Sequence, residues 1–141
     1  MAFISVQQGI AKAQRDAAVE NTKLTIAEYG HTEFDRNQMP ACKMIYTGGT
    51  PFDYANQKQD IVMRQVWQIE GRDPDEVSVI MEQLMFLWYK PSVRATLQAL
   101  GFVGYELTDI VGAGLIDGKT MAGGIGGILE FDVRMTIQDP N

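Results

Sequence analysis

Residues 113–120 read AGLIDGKT. A small residue, four of any kind and then Gly-Lys-Thr fit the relaxed phosphate-loop pattern, in which backbone N–H groups and a lysine cradle the phosphates of a nucleotide. Such a loop works where it joins a buried strand to a helix, because the helix N-terminus presents free N–H groups. Here Thr120 is followed by MAGGIGG. Glycines in a helix cost about 1 kcal/mol each relative to alanine, so this stretch opposes a helix, and a strand pattern follows it. The stretch is expected to be a hairpin loop turning at Asp117-Gly118. Residues 112–127 then form a long Gly-rich connection, of a kind that a neighbouring subunit orders at an entropic cost.

Other chemistries lack their parts. Nucleophilic catalysis needs a Ser, Cys or Thr beside a base, and the one histidine, His31, sits in a polar stretch. A zinc site of the usual Cys/His kind lacks ligands. The one cysteine, Cys42, rules out an intrachain disulfide and reads as a small buried residue in a strand. Asp73, Asp75 and Glu76 are explained by helix capping and the helix dipole, and Glu130 and Asp132 by the wet face of a strand. Trp67, Trp88 and Tyr89, like Met81 and Met85, have spacings that suit a core. No catalytic residue, cofactor or metal is expected.

The chain has 141 residues, enough for one domain spanning 1–141, and 45% of them are hydrophobic. Its net charge of −6 argues against non-specific nucleic-acid binding, which needs Lys and Arg to displace counterions from phosphates. No apolar run approaches the roughly 18 residues of a membrane span, and no signal peptide is evident.

Val6, Ile10, Ala13 and Ala17, with Phe3, recur on one helical face, predicting a helix over 5–19 that Ser5 caps, with Gln14 off the stripe. TKLTIAEYG reads as a short strand, and ACKMIYTGG as a strand ended by its two glycines. TPFDYANQK, at 50–58, is loop-like. In QDIVMRQVWQIEG, Ile61, Met63, Trp67 and Ile69 share a face that Gln65 interrupts. DPDE at 73–76 signals a capped helix start, and Val77, Ile80, Met81, Leu84, Leu87 and Trp88 give its buried face. Pro91 stops that helix. Ser92 caps a shorter one through Val93, Leu97 and Leu100, which Gly101 ends. GFVGYELTDIV and ILEFDVRMTIQ are strands, the second alternating cleanly between apolar and polar residues. The expected fold is α+β: a mostly antiparallel sheet flanked by an N-terminal helix and a central helix pair.

From 39 to 138 the order of elements resembles the tail terminator (tail completion, or neck) proteins of long-tailed bacteriophages. The resemblance is carried by MPACKMIYTGG, then KQDIVMRQVWQIEG, the capped helix VSVIMEQLMFLW, the short helix SVRATLQAL, and the strands GFVGYELTDI and GGILEFDVRMTIQ. It implies a structural virion protein that forms a homohexameric ring on the head-proximal end of the tail tube. Such a ring halts tube polymerisation and joins the tail to the head connector. Implied partners are further copies of the chain, the tail tube protein, connector or neck proteins and a sheath protein. Genome DNA passes through the lumen without specific binding, and the implied location is the virion, after assembly in the host cytoplasm. Two segments are candidates for the contacts: the aromatics Phe52 and Tyr54, and the run holding Leu115, Ile116, Asp117, Lys119 and Met121. Two alternatives stand beside this reading, another head–tail joining or tube-like subunit and, against the reasoning above, a nucleotide hydrolase.

Overall fold

The computed structural model describes residues 5–30, 33–55, 57–107, 113–119 and 123–138, with the backbone alone at 46–53, 113–119 and 138. The chain runs α1 (Val6–Asn21), β1 (Ile26–Tyr29), a 3-10 turn (Arg36–Gln38), β2 (Ala41–Ala55) and β3 (Lys58–Gly71). It continues through α2 (Pro74–Leu87), α3 (Pro91–Gln98), β4 (Phe102–Leu107), β5 (Ala113–Lys119) and β6 (Ile125–Gln138).

The strands form one sheet in the order β1-β2-β3-β6-β4, with β5 also on β6. Only β1 and β2 are parallel; the other pairs are antiparallel. Strands β3 and β6 pair along their whole length, from Lys58 opposite Gln138 to Gly71 opposite Ile125. The far edge of β6 is shared: β5 takes Ile125 to Leu129, and β4 takes Phe131 to Met135. The fold is thus α+β, as the element pattern predicts.

Hydrophobic alternation decides which face is covered. Ile61, Met63, Trp67 and Ile69 of β3 and Leu129, Phe131, Val133 and Met135 of β6 are buried on one face. Against them pack Ile10, Ala11 and Ala18 of α1, the whole predicted face of α2, and Val93 and Leu97 of α3. Trp67 meets Trp88 edge-on at 5.5 Å between ring centroids, and Phe131 and Tyr105 complete the aromatic centre. Tyr105 also donates its hydroxyl to the Met85 carbonyl, tying β4 to α2.

Local signals hold at the helix ends. Ser5 accepts from Gln8 N–H at 3.1 Å and starts α1. Asp73 accepts from Glu76 N–H at 2.9 Å, with Pro74 at the first helical position, and Glu76 reaches back to Arg72 N–H at 3.0 Å. Gly101 takes φ +107° three residues past the end of α3, beyond the cap residue Ala99.

Several expectations are corrected. Residues 50–58 are not a loop: β2 runs through to Ala55, past Gly48 and Gly49, and β3 begins at Lys58. The full-length β3 is a template that local turn chemistry does not outweigh. The cost appears as two register shifts in β2, between Tyr46 and Gly48 and between Pro51 and Asp53. Proline and glycine are tolerated at such bulges on an outer strand. The Gly-rich 112–127 connection likewise contains β5, and Asp117 and Gly118 lie inside that strand, not at a turn. A register shift between Leu115 and Lys119 accommodates them. Gln14 is fully buried rather than off the apolar stripe. Pro91 opens α3 instead of only ending α2. Lys90 occupies the cap position without a side-chain cap bond, Ser92 lies inside the helix, and Leu100 is exposed.

Candidate interaction surface

Among the described residues, helices cover one face of the sheet and leave the other bare. On the bare face, residues from β2, β3, β4 and β6 interleave. Lys43 pairs with Glu70 at 3.7 Å, and Arg64 reaches Asp132 at 3.3 Å and Glu130 at 3.6 Å. Arg134 meets Glu106 at 3.4 Å, and Thr136 donates to Asp60 at 2.8 Å. The ladder places Arg64 directly opposite Asp132, so these are cross-strand pairs on one face. Strand alternation predicts a wet face for Glu130. It does lie there, yet Arg64 and its neighbours leave it only 7% exposed. Carboxylates outnumber cations across this face, and nearly all of them are engaged with one another.

The flank beyond β2 is open. β1 pairs only with Ala41 to Met44, and Gly30 N–H adds a bond to the Met44 carbonyl. From Ile45 to Ala55 the outer edge of β2 has no strand beside it among the described residues. At the end of this edge the β2–β3 hairpin turns through Gln57, at φ +62°, and Tyr54 stands 67% exposed. The opposite flank is blunted, because Arg94 donates to the Val103 carbonyl at 3.2 Å on the edge strand β4.

On the helical side, α1 and α3 leave a cleft of about 330 Å³ between them. Val93 and Leu97, with the half-buried Ala13 and Ala17, form its apolar floor, and Asp16 and Glu20 stand exposed at its rim.

The predicted contact residues divide accordingly. Tyr54 stands exposed at the hairpin end. Phe52 lies in the same open-edged strand, and its side chain falls outside the described residues. Leu115, Ile116, Asp117 and Lys119 belong to β5, where the backbone alone is described, and Met121 and His31 lie outside the described residues. The two segments are not brought together: β2 lies on one flank of the sheet and β5 on the other. Sequence reasoning missed the cleft, whose lining is mostly small and polar and carries no motif. It also missed the open edge, for which Pro51 was the available signal.

Among the described residues, no three His, Cys, Asp or Glu side chains are grouped to hold a metal ion, and no helix is long and apolar enough to cross a membrane. Cys42 is fully buried in β2, and burial raises its thiol pKa far above the ordinary range. Burial, then the neighbouring Tyr89, raises that of Tyr105 as well. Trp67 and Trp88 are fully buried core residues, whereas Tyr89 is exposed and leans on Tyr105 at 5.1 Å.

Comparison with protein-family models and with curated proteins yields no match to this chain.

Proposed function

We propose that this protein is a structural ring subunit of a long-tailed bacteriophage, seated at the head-proximal end of the tail tube as a tail terminator. The observation that carries this reading is the edge of β2 from Ile45 to Ala55, beside which no strand of the described residues lies. A long open strand edge invites another chain. Pro51 lacks an N–H, and two register shifts interrupt the edge. It therefore suits coverage by a neighbour's loop or side chains better than a continuous ladder. Contacts between unlike surfaces propagate around a closed ring when the rotation per subunit closes, and give open stacks when it does not.

The bare sheet face fits a wet surface within such a ring. Interface cores are depleted in charge, and this face is a mesh of mutually paired charges with acidic residues in excess. Facing a lumen, it would repel DNA phosphates and let a genome slide without being held. In this reading no bond is made or broken by the protein, and its partners are its own copies, the tube protein and the connector.

A second reading, a head–tail joining or tube-like subunit, uses the same open edge but extends into stacks. Light scattering over a concentration series separates the two: a terminator plateaus at one size, whereas a tube subunit keeps growing. The enzymatic alternative is disfavoured because β5 is followed by β6 and not by a helix. Titration of native protein and Lys119→Ala with magnesium-nucleotide is expected to show no binding in either. Saturable binding lost in the variant would reinstate the nucleotide site.

A further inference from the structure

The α1–α3 cleft has walls of two kinds. Its floor is apolar: Ala13 and Ala17 from one helix, Val93 and Leu97 from the other. At its rim the polar side chains turn their donors inward to backbone. Asn21 Nδ2 donates to the Ala17 carbonyl at 2.8 Å, and the Thr96 hydroxyl donates to the Ser92 carbonyl at 3.1 Å. Asn21 Oδ1 and the Thr96 oxygen are left as acceptors. Asp16 is held by Lys12 at 3.0 Å, one turn away on α1. Glu20 adds an exposed carboxylate with no ion-pair partner among the described residues.

We propose that this cleft receives an arginine side chain of a different protein, with its methylene stem on the apolar floor and its guanidinium at Glu20, Asn21 and Thr96. An apolar stem with a cationic head matches an apolar floor with an acceptor rim. A guanidinium is a planar fork of five donors with no acceptor, so it can meet a carboxylate and neighbouring oxygens at once, whereas an ammonium is a point charge. The arginine is not this chain's own, because all six are engaged within the fold. Arg15 lies over the Tyr29 ring, Arg36 donates to the Gly123 carbonyl and Arg94 to the Val103 carbonyl. Arg64 pairs with Glu130 and Asp132, Arg72 with Glu76, and Arg134 with Glu106. A second copy would have to break one of these contacts to fill the cleft, and a foreign segment would not. Such a site stands whether or not copies of the chain assemble into a ring.

The test titrates acetyl-arginine amide into the isotope-labelled full chain and follows backbone amide shifts by NMR. Saturable shifts are expected along the cleft walls of α1 and α3, with a dissociation constant in the millimolar range, since a lone side chain must repay its lost freedom from few contacts. Acetyl-citrulline amide has nearly the same shape without the charge and should not saturate. Acetyl-lysine amide should bind at least about threefold more weakly. Glu20→Gln should weaken the arginine probe about fivefold or more while leaving the unfolding midpoint near native, because the side chain is exposed. Lys12→Gln, which releases Asp16, should strengthen it. No saturation at the cleft, equal binding of the citrulline or lysine probe, or a Glu20→Gln chain that binds like the native one overturns the proposal. Shifts at the same residues that grow with the protein's own concentration, with no probe added, place a second copy in the cleft and overturn the assignment to a different protein.

Discussion

Gln65 on β3 donates its Nε2 to Gln14 Oε1 on α1 across 2.8 Å, and both side chains are fully buried. The orientation is fixed from one end. Trp67 Nε1, which can only donate, bonds Gln65 Oε1 at 3.2 Å. Gln65 must therefore turn its amide nitrogen toward Gln14, and Gln14 must answer with its oxygen. The chain of bonds ends on Gln14 Nε2, which has no partner among the described residues. A polar thread thus crosses an apolar core and sets where α1 sits on the sheet.

The two glutamines should respond unequally to replacement. Gln14→Leu removes one orphaned amide and creates another at Gln65 Nε2, so stability should move by less than about 1 kcal/mol. Gln65→Leu strands both Trp67 Nε1 and Gln14 Oε1 and should lose about 1–3 kcal/mol. Urea denaturation measures both, and equal losses would contradict the directional thread.

Gly101 should not tolerate a side chain. Its φ is +107°, and an added Cβ would lie 2.7 Å from the Thr136 carbonyl oxygen, which is backbone and cannot swing away. The Thr136 N–H also bonds the Gly101 carbonyl at 2.8 Å, so the two segments cannot part cheaply. Gly101→Ala is expected to cost about 1–3 kcal/mol in an unfolding titration.

Cys42 should make stability fall at alkaline pH. Burial raises its thiol pKa in the folded chain above the ordinary 9.0. Above that pH the unfolded chain binds fewer protons than the folded one, so unfolding becomes more favourable as pH rises. The added slope is about 1.4 kcal/mol per pH unit for one group. Between pH 9 and 10, before Tyr105 adds its own effect in the same direction, native protein should lose stability faster than Cys42→Ala. A thiol reagent should label native Cys42 only as fast as the chain opens.

The elements legible in the sequence are those where local chemistry and tertiary packing agree. The Asp73 cap, the α2 face and the alternation of β6 needed no partner to be recognised. The distal half of β2 and all of β5 were hidden because Gly48, Gly49, Pro51 and Gly118 are turn residues by local preference. Their strand conformation comes from β3 and β6, whose long edges impose it across the sequence. Gln14 and Gln65 were opaque for a related reason: each looks polar alone and is admitted to the core only by the other and by Trp67. At the candidate surface, Tyr54 was legible as an aromatic in a polar setting. The cleft was not, since it exists only where α1 and α3, distant in sequence, lie side by side.

Imaging of the purified chain by negative-stain electron microscopy tests the central claim most directly. The account predicts annular particles of a single diameter with an open centre, unchanged in size as concentration rises. A field of 15.7 kDa monomers, or fibres that lengthen with concentration, would contradict it.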